Sequence, residues 1–349
     1  MQPGDVLATG TPAGVGLGLK PPVYLKPGDN IAVSVTGLGT LTNRIASASS
    51  PNPLASKPPA STLSYNNSRI PVSQLARINS KPLYYAHSGL ESGSPIVFVH
   101  GLGGTHASFA PLIHSLGLTY THSIHLFDLE GHGASPTHPL SILSIPSFSE
   151  DLAGVFTHAG ITNDDNATVI AHSMGCLIAL DFAARHPEKV RELILLNPPR
   201  LPFPDEGVDA LKHRAELVRR DGMLDIADKI ALSATSVQSL ASNAAAVNAV
   251  RLSLQGQDVE GYAKACAALA DAEVVEWEKV RARVTMVTGS EDGVAPVDAC
   301  EEVVSKLGDR GSVAVLQSVG HWTVFEDVEG VARAIEKALG RSGVASRVL

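Results

Sequence analysis

The residue with the clearest chemical potential is a serine. Ser173 lies in Thr168-Val-Ile-Ala-His-Ser-Met-Gly-Cys176, which runs directly into LIALDFAARHPEKV. An apolar run, a tight turn centred on the serine and a helical pattern follow one another, the context in which a hydroxyl is held out as a nucleophile. Ala171 and Gly175 supply the small residues that such a turn needs on either side. Ala171 stands where the pattern G-x-S-x-G has its first glycine, an exchange that is sterically mild. Ser173 could also serve as an ordinary helix N-cap, which requires no partners. A nucleophile requires two: a base to take the hydroxyl proton, and an acid to hold that base in the right tautomer. Both are available in the order Ser, Asp, His. Asp292 falls in Gly289-Ser-Glu-Asp-Gly-Val-Ala-Pro296 after one apolar run, and His321 in Ser318-Val-Gly-His-Trp322 after the next. Glu291 is the rival acid and ranks below Asp292. The catalytic candidates are therefore Ser173, Asp292 and His321.

An oxyanion formed by attack at a carbonyl needs fixed donors. His100-Gly-Leu-Gly-Gly104 follows an apolar run, and its glycines let backbone N–H groups approach a ligand. The N–H groups of Leu102 and Met174 are the candidate oxyanion hole. Read alone, the same glycines are a tight turn, and no G-K-[ST] follows to make a phosphate loop. Trp322 and Arg200 are candidate substrate-binding residues. Arg214 and Arg251 could also bind a substrate carboxylate, or lie on solvated helix faces. His132 is expected to fix a turn, as are Asp128 and Glu130. His172, beside the nucleophile, is either structural or turned into the pocket.

Positioning these groups requires alternating strands and helices. Runs at 96–100, 124–128, 168–171, 193–196, 284–288 and 313–317 are rich in β-branched residues and read as strands buried on both faces. Between them, 148–159, 174–185, 298–307 and 328–339 space apolar residues three and four apart, as amphipathic helices do. The expected fold class is α/β, a mostly parallel sheet with helices on both faces. Two earlier strands, around Ala76 and Tyr84, should form an antiparallel edge. From 202 to about 275 the alternation stops in favour of Ala-rich helical segments, which predicts a lid over the carboxyl ends of the strands.

Composition narrows the class of ligand. Lys and Arg number 27 against 35 Asp and Glu, a formal charge of -8, so no diffuse basic field draws a nucleic acid. Aromatic residues make up 5%, too few for base-stacking platforms. A small-molecule substrate fits better, with no cofactor and no metal. Cys176, Cys266 and Cys300 form no C-x-x-C pair, which argues against a zinc site and for a reducing, cytoplasmic setting. The first twenty residues lack a signal-peptide pattern, no apolar run reaches membrane-spanning length, and Ser346-Arg-Val-Leu349 does not match a peroxisomal signal. No membrane partner is expected, and the sequence leaves the oligomeric state open.

The pieces FVHGLGG, FDLEGHGASP, VIAHSMG, LILLNPP, TGSEDGVAP and VGHWTVFED together resemble the α/β-hydrolase superfamily over nearly all of 75–340. The resemblance implies an α/β-hydrolase fold and a serine hydrolase that forms an acyl-enzyme. Within the superfamily the body is similar to 3-oxoadipate enol-lactonase-like esterases and lactonases, and to carbon-carbon hydrolases acting on diketo acid ring-fission products. Both imply aromatic compound catabolism. Gly320-His321-Trp322 leans to the second group, while Ala171-His172 replaces the Gly-Asn that those enzymes carry before the serine. A different class of reading is a fold that binds a ligand without turning it over.

Residues 1–45 carry a separate resemblance. Gly4-Asp-Val-Leu-Ala-Thr-Gly-Thr-Pro-Ala-Gly-Val-Gly16, Leu25-Lys-Pro-Gly-Asp29 and Gly37-Leu-Gly-Thr-Leu-Thr-Asn-Arg44 are similar to the C-terminal end of the fumarylacetoacetate hydrolase family. Those enzymes cleave carbon-carbon bonds or decarboxylate oxo acids with a divalent metal. Thr11 matches a residue that contacts substrate there, but the family's metal carboxylates and catalytic histidine have no counterpart in this segment. A metal-dependent lyase is thus disfavoured, and a vestigial or truncated fusion is expected. A Ser/Pro-rich stretch, 46–74, reads as the linker to a hydrolase domain at 75–340.

Overall fold

The computed structural model describes residues 24–35, 39–45, 72–165 and 167–340. The chain divides into two compact units, 1–65 and 66–349. In the first, strands β1 (Asn30–Val35) and β2 (Gly39–Arg44) pair antiparallel with Asn30 opposite Arg44. The Lys26-Pro-Gly-Asp29 turn closes the open end of this hairpin. Asp29 Oδ2 accepts from Lys26 N at 2.8 Å, and Gly28, at φ +98°, donates to Ile45 O at 2.8 Å. Thr11 and the Gly4–Gly16 block lie outside the described residues, as do 46–71 of the expected linker.

The second unit is built on an eight-stranded sheet. Its strands are β3 (Val72–Ile78), β4 (Lys81–Gly89), β5 (Ser94–Val99), β6 (His122–Phe127), β7 (Ala167–His172), β8 (Val190–Leu196), β9 (Arg283–Gly289) and β10 (Gly311–Leu316), in the spatial order β10-β9-β8-β7-β5-β6-β4-β3. Strands β5 to β10 run parallel, and β3 and β4 add the antiparallel edge. The order reverses at β5, which has β6 on one side and β7 on the other, and an open α/β sheet offers its ligand crevice at such a switch.

Side chains alternate between two cores because successive strand residues face opposite sides of a pleated sheet. Val97, Val99, Val169, Ala171, Leu193 and Leu195 enter one core, under helices α2 (Ile145–His158), α3 (Met174–Arg185) and α9 (Val297–Leu307). Ile96, Phe98, Ile170, Ile194 and Leu196 enter the other, under α1 (Ala110–Ser115) and α11 (Val328–Ala338). Helix starts are set locally. Ser144 and Ser147 form a reciprocal capping box at α2, and Asp327 accepts from Gly330 N at 2.8 Å at α11. The lid consists of α4 (Asp205–Asp221), α5 (Leu224–Ser233), α6 (Val237–Ser242), α7 (Ala244–Gln255) and α8 (Val259–Ala270); a short helix, α10 (Thr323–Glu326), follows His321. No helix among the described residues is long and apolar enough to cross a membrane.

Two expectations require correction. β10 is only half-buried, not enclosed on both faces, because it is the edge strand beside β9. Strand β3 already begins at Val72, inside the end of the stretch assigned to the linker, since Val72 to Ile78 pair with β4. Helix α1 has no counterpart in the helical segments read from the sequence: six residues are too short to establish a period.

Candidate active site

Three strand ends deliver the reactive groups to one edge. Ser173 follows β7 directly and begins α3 with φ +52° and ψ -123°, a conformation that non-glycine residues rarely adopt. The turn is tight enough to exclude side chains on both sides. A Cβ at Gly175 would sit 2.4 Å from Val99 O, and one at Gly101 would sit 2.7 Å from both His172 O and the Ser173 Cβ. The backbone holds the turn through Ser173 N, which donates to Leu196 O at 2.9 Å.

His321 Nε2 stands 2.9 Å from Ser173 Oγ, and its Nδ1 stands 3.0 and 2.9 Å from the two Asp292 oxygens. Asp292 is an acceptor on every side: Asn197 Nδ2 donates at 2.7 Å, Val294 N at 2.8 Å and Ala295 N at 3.0 Å. Burial by itself would raise the Asp292 carboxyl, but the His321 ring and these donors outweigh it and hold the group well below the ordinary carboxylate range. A carboxylate at this place takes the Nδ1 proton of His321, which leaves Nε2 to accept from the serine hydroxyl. The arrangement can therefore transfer a proton from serine to histidine as the serine attacks a carbonyl.

The surrounding histidines are supports. His172 is buried, and its Nε2 donates to the His321 carbonyl at 2.9 Å; burial first, and then the neighbouring His321, lowers its pKa to about 3. Of its two readings the structure thus takes the structural one. His100 donates from Nδ1 to Gly101 O at 2.9 Å and accepts from Leu129 N at 3.0 Å, which ties the Gly-rich loop to the next turn. In that turn His132 is buried, and Asp128 accepts from His106 N, His106 Nδ1 and Ala134 N at 2.7 to 2.9 Å. Glu130 is bound by Ser141 Oγ and by Lys81 at 3.0 Å. These are turn fasteners, as the sequence implied. The three cysteines are buried, and burial raises each thiol, to about 12 for Cys266 and Cys300, so none is a thiolate at neutral pH.

The Leu102 and Met174 N–H groups have no intramolecular acceptor among the described residues, and the Gly101 approach brings their two loops together. Above Ser173 opens a cavity of about 520 Å³, within the usual range for small-molecule sites. Ser173, Leu102, Asp292 and His321 face it, and the lid adds Leu211, Ile230, Leu254 and Leu269. Trp322 lines it as well, buried and 5.2 Å from the His172 ring. Arg200 lines it from the rim, half-exposed and 3.4 Å from Asp298. Glu291 is not bonded to His321; it accepts from Val237 N at 2.8 Å. Arg251 is engaged outside the cavity with Asp228 and Asn248, both at 2.5 Å.

Two residues lay inside quoted motifs without a role. Asn197, at φ +54°, links Asp292 to the His321 loop, for it also donates to Gly320 O at 3.3 Å and accepts from Thr323 Oγ1. Glu326 accepts from Gly320 N, Trp322 N, Ser236 N and Ser239 Oγ at 2.8 to 3.1 Å, and so clasps the lid to the histidine loop. Only their place within LILLNPP and VGHWTVFED could have marked them.

The model of the alpha/beta hydrolase fold family matches residues 94–328, more than half of the chain. The chain belongs to this family. Among solved structures, this α/β-hydrolase is similar to a thermophilic esterase from Thermogutta terrifontis, with TM-score 0.69 and 22% identity over 78% of this chain and 98% of that one. It is also similar to the enol-lactonase from Burkholderia xenovorans LB400, with TM-score 0.68 and 22% identity over 76% and 99% of the two chains. Est816, described as degrading N-acyl homoserine lactones, matches with TM-score 0.60 and 17% identity over 74% and 97%. At such identities the likeness is one of fold. The model described as fumarylacetoacetate (FAA) hydrolase C-terminal matches residues 1–46 of this α/β-hydrolase. There, 46 residues are 61% identical to an uncharacterized protein of Staphylococcus saprophyticus and 59% to one of Staphylococcus haemolyticus, which is 13% of this chain and 15% of each relative. The chain thus spans about 15% of the length of the curated relatives it matches.

Proposed function

We infer that this protein is a serine hydrolase that cleaves a small carboxylic ester or lactone through an acyl-enzyme. The observation that carries the reading is the continuous hydrogen-bonded line from Ser173 Oγ through His321 to Asp292, 2.9 to 3.0 Å at each step, opening onto a cavity lined mostly by apolar side chains. As Ser173 Oγ bonds to the carbonyl carbon, His321 Nε2 takes its proton, and Asp292 stabilises the imidazolium without itself being protonated. The carbonyl oxygen becomes an oxyanion that accepts from the N–H groups of Leu102 and Met174, a kind of donor worth roughly 2.7 to 4 kcal/mol each. Collapse of the tetrahedral species breaks the bond to the leaving oxygen, which takes the proton from His321. Water, deprotonated by His321, then attacks the acyl-enzyme and frees the acid and Ser173.

A fluorophosphonate probe labels Ser173 of the native protein and fails to label Ser173→Ala, while Ser173→Ala loses roughly 10⁶-fold in kcat on aryl esters. A variant that keeps its esterase activity rejects the reading. Enol-lactones, aryl esters and ring-fission diketo acids, assayed side by side, decide between ester and carbon-carbon cleavage.

A further inference from the structure

One buried side chain reaches both partners of the nucleophile, yet the proton transfers assign it no task. Asn197 stands directly after β8, fully buried, at φ +54°. Its Nδ2 donates to Asp292 Oδ2 at 2.7 Å and to Gly320 O, next to His321, at 3.3 Å, while its Oδ1 accepts from Thr323 Oγ1 at 2.6 Å. A carboxylate and a carbonyl only accept, so the NH2 end must face them and the Thr323 hydroxyl must donate to the amide oxygen. Asp292 Oδ1 is supplied by its own loop, through Val294 N and Ala295 N. Oδ2, 2.9 Å from His321 Nδ1, has Asn197 as its one other donor among the described residues.

The backbone does not call for this side chain. Glycine serves a left-handed residue at lower conformational cost, so what asparagine adds at 197 is its amide. Torsion about the Cβ–Cγ bond of an aspartate is soft, and the loop N–H groups pin only Oδ1, so Asn197 is the fixed group that keeps the carboxylate from turning away from Nδ1. The same NH2 group reaches the carbonyl that precedes His321, so one planar group sets the spacing of acid and base. Thr323 Oγ1 keeps the amide from flipping, since a flipped amide would set its oxygen against the carboxylate. Displacements of about 1 Å in such a constellation cost roughly 10²-fold in rate. We propose that Asn197 is a positioning residue for the hydrolysis, the gauge that holds Asp292 Oδ2 on His321 Nδ1. This rests on the hydrolase reading above.

The test is a double-mutant cycle on the full chain, read by steady-state kinetics on 4-nitrophenyl butyrate. Asn197→Gly lowers kcat by roughly 10- to 150-fold with KM little changed, the range of one hydrogen bond to a charged group. In the Asp292→Ala background the same change costs less than about twofold, because its effect passes through Asp292. A packing role alone would lower Tm and leave the losses in kcat additive. Thr323→Val lowers kcat by roughly two- to tenfold, and carries the test if the glycine variant does not fold. The downfield proton resonance of His321 Nδ1–H, identified by its loss in His321→Gln, shifts or broadens in both variants. A loss that persists in full in the Asp292→Ala background overturns the proposal, as do a kcat and a resonance unchanged in every variant that folds. The resonance needs no turnover. If the native protein neither hydrolyses the ester nor takes the fluorophosphonate, the hydrolase reading falls, while the resonance still decides whether Asn197 holds the carboxylate on the ring.

Discussion

Asp292 offers the sharpest residue-scale consequence, because its carboxylate has a job that an amide of the same shape cannot do. Asparagine at 292 presents an N–H where His321 Nδ1 needs an acceptor, so the ring turns to the tautomer that cannot take the Ser173 proton. Asp292→Asn is expected to fold and to lose roughly 10³- to 10⁴-fold in kcat, with KM little changed, read by steady-state kinetics on an aryl ester. Ser173, Asp292 and His321 were legible in the sequence because each lies in a short loop directly after a β-branched run, and run, loop and residue are all local signals. Asn197 was not distinguished from its neighbours, and Arg214 was only one of several arginines that could bind a carboxylate or lie on a solvated helix face. A helical arginine is ambiguous until the burial and pairing of its whole surroundings are known, and that depends on contacts between distant segments. Arg200, by contrast, was favoured by its place after a central strand, yet its guanidinium turns outward to Asp298.

At the scale of elements, the lid and the sheet meet at a few polar fasteners. Ser253 Oγ and Gln257 Nε2 donate to Gly103 O at 2.7 and 3.1 Å, and Gly131 and Gly261 touch so closely that a Cβ on either would overlap the other's backbone. Glu326 is the fastener nearest the chemistry. Glu326→Ala leaves the N–H groups of Gly320, Trp322 and Ser236 without their acceptor, which predicts a loss of roughly 2 kcal/mol and a fall in Tm of about 4 to 8 °C by calorimetry, accompanied by a lower kcat as the His321 loop loosens. The lid as a helical insertion was legible from its missing strands and Ala-rich periodicity. Its orientation was not, because the apolar faces of α5, α7 and α8 fit the core and the cavity wall equally well by pattern alone. The half-burial of β10 escaped for a related reason: an apolar run does not say how many neighbours its strand will have.

For the whole molecule, the buried neutral histidines tie stability to pH. His132 and His172 are both lowered to about 3 by burial first, with charged or chargeable neighbours second. The unfolded chain protonates them near the ordinary value of about 6.5. Above that value neither state gains a proton and the fold has its full stability. Below it the unfolded state binds protons that the native state refuses, so stability falls by about 1 kcal/mol per pH unit for each histidine until the folded values are reached. Urea denaturation between pH 7 and pH 5 should show this slope, and His132→Gln should flatten it by one histidine's share. The backbone at Ser173 bears on the same balance from the other side. A residue held at φ +52° carries a conformational strain of roughly 1 to 3 kcal/mol that glycine would release. Ser173 therefore keeps this protein below its own ceiling of robustness, and a library sorted only for heat resistance or yield would drift toward glycine at 173, enriching well-folded molecules that have given up the hydroxyl proposed as nucleophile.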